Sequence, residues 1–108
     1  MKRVYFAVGQ GVTYDGKPIK HQHLATWRSA ACKRIADTFG GLSTVNMLGW
    51  WNSPTSSLLV HERSWGIEVF TDSHTAESAL AVAQWLKTEF RQESILLVVQ
   101  SLDSMRFV

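Results

Sequence analysis

Two helical stretches, each set between apolar strand-like runs, give the chain the order β-α-β-β-α-β. That order predicts an α+β domain of the split-βαβ, ferredoxin-like class: an antiparallel sheet with two helices on one face. The first and last strands are apolar on both sides. The sheet face without helices therefore needs a cover as well, and oligomerisation through that face is expected.

The first strand is Arg3 to Val8, with Val4, Phe6 and Val8 on one side and Tyr5 and Ala7 on the other. Both sets are apolar, as in a strand buried on two sides. Gly9-Gln10-Gly11 ends it, and Asp15-Gly16-Lys17-Pro18 is turn chemistry. From His21 to Phe39 the apolar residues Leu24, Trp27, Ala31, Ile35 and Phe39 recur in steps of three and four, which marks one helical face. Gly40-Gly41 stops this helix, because glycine enters the left-handed region without a Cβ clash.

Leu42 to Trp51 reads as the second strand and Leu58 to Phe70 as the third, with a bend expected near Arg63-Ser64. The short loop Asn52 to Ser56 makes the two an antiparallel hairpin. Asp72 or Ser73 is placed to cap the second helix. Ala79, Val82, Ala83, Leu86 and Phe90 form its buried stripe. Ile95 to Val99 is a continuous apolar strand, and Ser104 to Val108 is a candidate for one more.

Composition removes several classes. The 108 residues include 11 Lys+Arg against 9 Asp+Glu, a net charge of +2, with 45% hydrophobic and 19% charged residues. That excludes a disordered or fibrous chain. The length fits a single ferredoxin-like domain over residues 1–108. A lone Cys32 forms no intrachain disulfide and fits a reducing, cytoplasmic compartment. No apolar run approaches the ~20 residues that span a bilayer, and Met1-Lys2-Arg3-Val4-Tyr5 does not read as a signal peptide. No membrane partner is expected. The sequence holds no Lys/Arg cluster, so no nucleic-acid partner is expected either. The cover for the open sheet face is expected to be another copy of the chain, as a trimer first and a dimer second.

Glu62 and Glu68 lie six residues apart on the third strand, which puts them on one face if the strand is regular. A surface or ion-paired carboxylate is the plain reading of each. Trp50 and Trp51 are adjacent on a strand and face opposite ways, so they cannot both join one core. One of them is free for an interface or a ligand, since indole faces bind cations and stack on flat rings. Trp65 is a third unusual tryptophan, and core or interface packing is the plain reading of all three. His21-x-His23 has metal-like spacing on a strand, but at a helix start the rings diverge by about 200°. No further ligand stands at zinc-site spacing. Gly9-x-Gly11 lacks the third glycine of a dinucleotide loop. The residues imply a site that is aromatic, carries one or two carboxylates, and needs neither metal nor cofactor. Such a site suits a small cationic ligand with a flat ring.

The chain resembles the small phage-encoded enzymes that degrade S-adenosylmethionine, the SAM lyases. The similarity runs through Val4-Tyr5-Phe6-Ala7-Val8, His21-Gln22-His23-Leu24, Gly49-Trp50-Trp51, Glu62, Ala79-Leu80-Ala81-Val82-Ala83 and Gln92-Glu93-Ser94-Ile95-Leu96-Leu97-Val98. The resemblance implies a trimer of ferredoxin-like subunits with active sites between neighbours, in host-cell cytoplasm and serving to evade host restriction. It implies a reaction in which the carboxylate of SAM displaces its own sulfonium, giving 5′-methylthioadenosine and homoserine lactone. The family's catalytic glutamate falls on Glu62, with Trp51, Trp50 and Glu68 as candidate substrate-binding residues. Where the family carries a tyrosine near the end of the second strand, this chain has Trp51. Indole stacks and donates one N–H but has no phenolic hydroxyl. Two other readings compete. One is a non-catalytic small-molecule-binding oligomer resembling the PII and ACT classes. The other is a phage protein that binds a host protein.

Overall fold

Alternation of Val4, Phe6 and Val8 with Arg3, Tyr5 and Ala7 puts β1 (Lys2–Gly9) at the centre of the sheet, paired on both edges. The chain then runs through α1 (His21–Phe39), β2 (Ser43–Asn52), β3 (Leu59–Thr71), α2 (Ala76–Glu89) and β4 (Leu96–Ser101). The sheet order is β2-β3-β1-β4 and every pair is antiparallel. This is the ferredoxin-like architecture that the element order predicts. The computed structural model describes residues 1–52, 57–72, 76–106 and 108, with the side chains of Trp51 and Val60 outside that set.

The core lies between the sheet and the two helices. Val4, Phe6 and Val8 from β1 meet Trp65, Ile67 and Val69 from β3, register partners on the same face. Ala31, Ile35 and Phe39 of α1, with Ala79, Val82, Ala83 and Leu86 of α2, close over them. Leu24 and Trp27 flank this core half-buried. Phe90 is the hub of an aromatic cluster, with its ring centroid 5.9 Å from those of both Trp27 and Trp65. The stripes read from three- and four-residue spacing are thus the faces buried. Gly40 ends α1 as expected: at φ 92° its N–H reaches the Ala36 carbonyl at 2.8 Å.

Two expectations need correction. The bend near Arg63-Ser64 is absent: β2–β3 pairing runs unbroken from Ser43↔Glu68 to Asn52↔Leu59. A bulge would cost ladder bonds on both sides of a strand paired on two edges. Ser104 to Val108 adds no strand among the described residues, Phe107 lying outside them. The Leu102 N–H reaches the Met1 carbonyl at 3.0 Å, where β1 runs out of partners. The Asp72 carboxylate is 3.4 Å from the amino group of Met1; the cap expected of Asp72 or Ser73 turns on residues 73–75, which lie outside the described set. In the single chain Tyr5 and Ala7 of β1 are half-buried on the side away from the helices, and in β4 Leu97, Val98 and Val99 are half-buried and Leu96 is exposed.

The regular register fixes the second face. Tyr5, Ala7, Val45, Met47, Phe70, Leu96 and Val98 share it with Glu62, Glu68 and Arg3. Tyr5 lies across Gly66, where an added Cβ would stand 2.6 Å from the phenolic oxygen. The hydroxyl donates to the Met47 sulfur at 3.0 Å. Val45 and Leu96 are each more than half exposed. No described helix is long and apolar enough to cross a membrane.

Because Phe6 is fully buried at the centre of the core, Phe6→Ala is expected to lower the unfolding free energy by about 3–5 kcal/mol. Leu80→Ala, on the exposed side of α2, is expected to change it by about 0.5 kcal/mol or less. Urea denaturation of both variants checks this, and equal effects would contradict the assigned core face.

Candidate functional site

The end of β1, the start of β3 and the segment after α2 meet around Glu62. The α2 terminus sets up the third of these. Arg91 takes the left-handed conformation at φ 51°. The Gln92 N–H then reaches back to the Lys87 carbonyl at 2.9 Å and the Arg91 N–H to Thr88 at 3.2 Å. This paired closure satisfies the last helical carbonyls and turns Gln92 towards the sheet. Both N–H bonds of the Gln92 amide are committed, to the carbonyls of Val12 and Phe90, each at 2.9 Å. Two carbonyl acceptors on that side fix the amide's orientation and leave its oxygen pointing the other way.

That oxygen and the Glu62 carboxylate converge on Gly9. A Cβ built at Gly9 would stand 2.5 Å from Glu62 Oε1 and 2.6 Å from Gln92 Oε1. Only a glycine lets both acceptors approach the backbone so closely. They line a cleft of about 600 Å³ with Thr13, Tyr14, Ser64 and Glu93, and no Lys, Arg or His is among its lining residues. Glu62 is half-buried and makes no ion pair among the described residues. Two acceptors without a donor between them make a place for a group that donates hydrogen bonds and carries positive charge, an ammonium above all.

A tight turn forms the rim. Val12 bridges to Pro18, and the Thr13 N–H reaches the Lys17 carbonyl at 2.8 Å. The Thr13 hydroxyl donates to the Asp15 carboxylate, and this bond holds the Asp15 carboxyl below its ordinary value. A lowered carboxyl stabilises the folded turn above the ordinary aspartate pKa of about 3.9. That contribution fades as the pH falls through the lowered value.

The other sequence-derived candidates sit elsewhere in a single chain. Glu68 shares the face of Glu62, as the six-residue spacing predicts for a regular strand. Six residues of strand separate the two by about 20 Å, and Arg3 Nε holds Glu68 at 2.6 Å. Trp50 pairs in register with His61, on the face opposite Glu62. Its ring lies 4.9 Å from the His61 ring and it is largely exposed. Position 51 pairs with Val60, on the Glu62 side of the ladder; the Trp51 side chain lies outside the described residues. Trp65 is core. His23 stacks on Trp27 at 5.9 Å, whereas His21 lines a different cleft. Nothing in the sequence marks Gln92 and Gly9 as site residues. The available signal was polar residues at an apolar strand's entrance, which does not reveal where an amide oxygen points.

No protein-family model matches the sequence, and no curated protein matches it. Solved structures match its shape. A phage SAM lyase in complex with S-methyl-5′-thioadenosine aligns with a TM-score of 0.64 and 22% identity, over 92% of this chain and 79% of that one. The periplasmic divalent cation tolerance protein CutA from Archaeoglobus fulgidus aligns at 0.63 and 9% identity, over 98% of this chain and 88% of that one. CutA from Synechococcus elongatus PCC7942 aligns at 0.56 and 14% identity, over 94% and 75%. At these identities the likeness establishes the ferredoxin-like fold.

Gly9→Ala tests the convergence of acceptors. The atoms it would strike are the ends of flexible side chains, so thermal stability is expected to change little while Glu62 and Gln92 are pushed out of place. Any ligand affinity or turnover that depends on the cleft is expected to fall by about tenfold or more. Unchanged function in a folded Gly9→Ala protein would show that the two acceptors do not act together.

Proposed function

We propose that the chain is a SAM lyase, with Glu62 and Gln92 receiving the substrate's ammonium. The observation that carries this reading is the pair of acceptors converging on Gly9 in a cleft without a lining cation. The shape shared with a phage SAM lyase that holds S-methyl-5′-thioadenosine supports it. The substrate brings its own nucleophile and its own leaving group. Its carboxylate oxygen attacks the methylene bound to sulfur, forming the lactone C–O bond. The C–S bond breaks with its electron pair left on sulfur, giving 5′-methylthioadenosine and homoserine lactone. No proton moves, so no general base is needed. The residues have two tasks: to hold the ammonium so that the carboxylate folds back onto the carbon, and to exclude water. Holding the ends together is worth roughly 7–11 kcal/mol in well-oriented model reactions. A dry site also favours a step in which opposite charges cancel.

The oligomer belongs to the same proposal. Val45, Phe70 and Leu96 are exposed on the face that Tyr5 shares, and exposed apolar surface of this kind marks sites of association. A second and third copy seated there would complete the cleft. In this reading the adenine is assigned to position 51, whose backbone pairs with Val60 on the Glu62 side of the ladder. Trp50 and Glu68 reach a ligand only where a neighbouring subunit presents them.

A non-catalytic reading is favoured by one observation: CutA proteins match the chain nearly as well as the lyase does. It differs in outcome, giving binding without turnover.

Incubation with S-adenosylmethionine, followed by chromatography for 5′-methylthioadenosine, separates the two. Product is expected from the wild type, falling about tenfold to hundredfold in Glu62→Gln. Binding without product would establish the non-catalytic reading, and neither binding nor product would remove SAM as the ligand. Light scattering checks the assembly. A trimer is expected for the wild type and a smaller species for Val45→Glu; a monomeric wild type would contradict the covered face.

A further inference from the structure

On the helix side of the sheet, directly behind Glu62, lies a second cleft of about 770 Å³. The start of α1, the end of β1 and the middle of the β2–β3 ladder form it. Arg28, Arg63 and His21 line it with the amides of Gln10 and Asn46, and no carboxylate is among its lining residues. Its charge is the reverse of the Glu62 cleft.

Arg28 is held in an unusual setting. One of its terminal nitrogens donates to the side-chain oxygens of Gln10 and, at 2.7 Å, Asn46. Both partners are neutral. The guanidinium lies 5.1 Å over the Trp65 ring, which fixes its plane. Its Nε is buried and has no hydrogen-bond partner. Burial also pulls its pKa down from the ordinary arginine value. Arg63 enters from β3 and makes no ion pair among the described residues. The 19-residue α1 opens at the same place with no side-chain cap and no acidic residue in its first turn. Its positive end is therefore left without a counter-charge. Two guanidiniums and a free helix start all favour one kind of occupant.

We propose that this cleft binds the phosphate group of a small molecule, with Arg28 and Arg63 as its two arms. Arg28 is pre-positioned by Trp65, Gln10 and Asn46, so little side-chain freedom is lost on binding. The cleft is larger than a bare phosphate requires and falls within the range of small-molecule sites. The organic part of the ligand has room beside Leu24, Leu48 and Ile19. The proposal does not depend on the lyase reading, because the two clefts lie on opposite faces of the ladder.

Calorimetric titration of the full chain with inorganic phosphate and with AMP tests it, at ionic strength held constant with sodium chloride. Saturable binding is expected for at least one of the two probes, weakened about tenfold or more in Arg63→Gln. Arg63 is exposed, so this variant is expected to fold. Arg28→Lys keeps the charge but loses the planar fork, and a matching loss is expected once thermal melting shows it folded. If Arg28→Lys does not fold, Arg63→Gln decides alone. No saturable binding of either probe, or binding unchanged in Arg63→Gln, would overturn the proposal.

Discussion

β3 pairs with β2 over residues 59–68 and with β1 over 64–71, so its middle is held between two neighbours, without a bulge on either edge. A slip of one residue on either edge would exchange the faces of every side chain it carries. Trp65, Ile67 and Val69 would leave the core, and Glu62, Gly66 and Glu68 would enter it. The cost of burying two carboxylates and exposing three apolar groups keeps the register fixed. The Glu62 cleft and the arginine cleft inherit their separation from it, since Glu62 and Arg63 are neighbours in sequence and face opposite ways.

Glycine shapes the face on which Glu62 lies at two points. At Gly9 the missing side chain leaves room for Glu62 and Gln92 to approach one point of backbone. At Gly66 it lets Tyr5 lie flat across the sheet towards Met47. One glycine thus gathers polar acceptors and the other levels an apolar surface. Together they place a charged cleft beside an apolar surface on one face of the sheet.

Much of this was readable beforehand from spacing. Leu24, Trp27, Ala31, Ile35 and Phe39 gave α1 and its inner face; Val4, Phe6 and Val8 gave the inner face of β1. The parity of Glu62 and Glu68 is also readable, but the polar Arg63-Ser64 pair reads as a bend. Two-edged pairing overrides such local polarity. Other features needed coordinates. That Trp50 and Trp51 diverge follows from sequence, yet which one shares a face with Glu62 follows only from the β2–β3 register. Gln92 orients its amide through carbonyls of Val12 and Phe90, the first 80 residues distant. Arg28 and Arg63 are 35 positions apart, so no charge run announces them. A hint was present: Arg28 lies four residues after Leu24, at the edge of the apolar arc of α1.

The ammonium-receiving role of Glu62 and Gln92 is tested most directly by a crystal structure with an S-adenosylmethionine analogue whose sulfonium is replaced by an uncleavable amine. The amino-acid ammonium is expected about 3 Å from both the Glu62 carboxylate and the Gln92 amide oxygen. A ligand bound elsewhere, or one whose ammonium turns away from Glu62, would contradict that role.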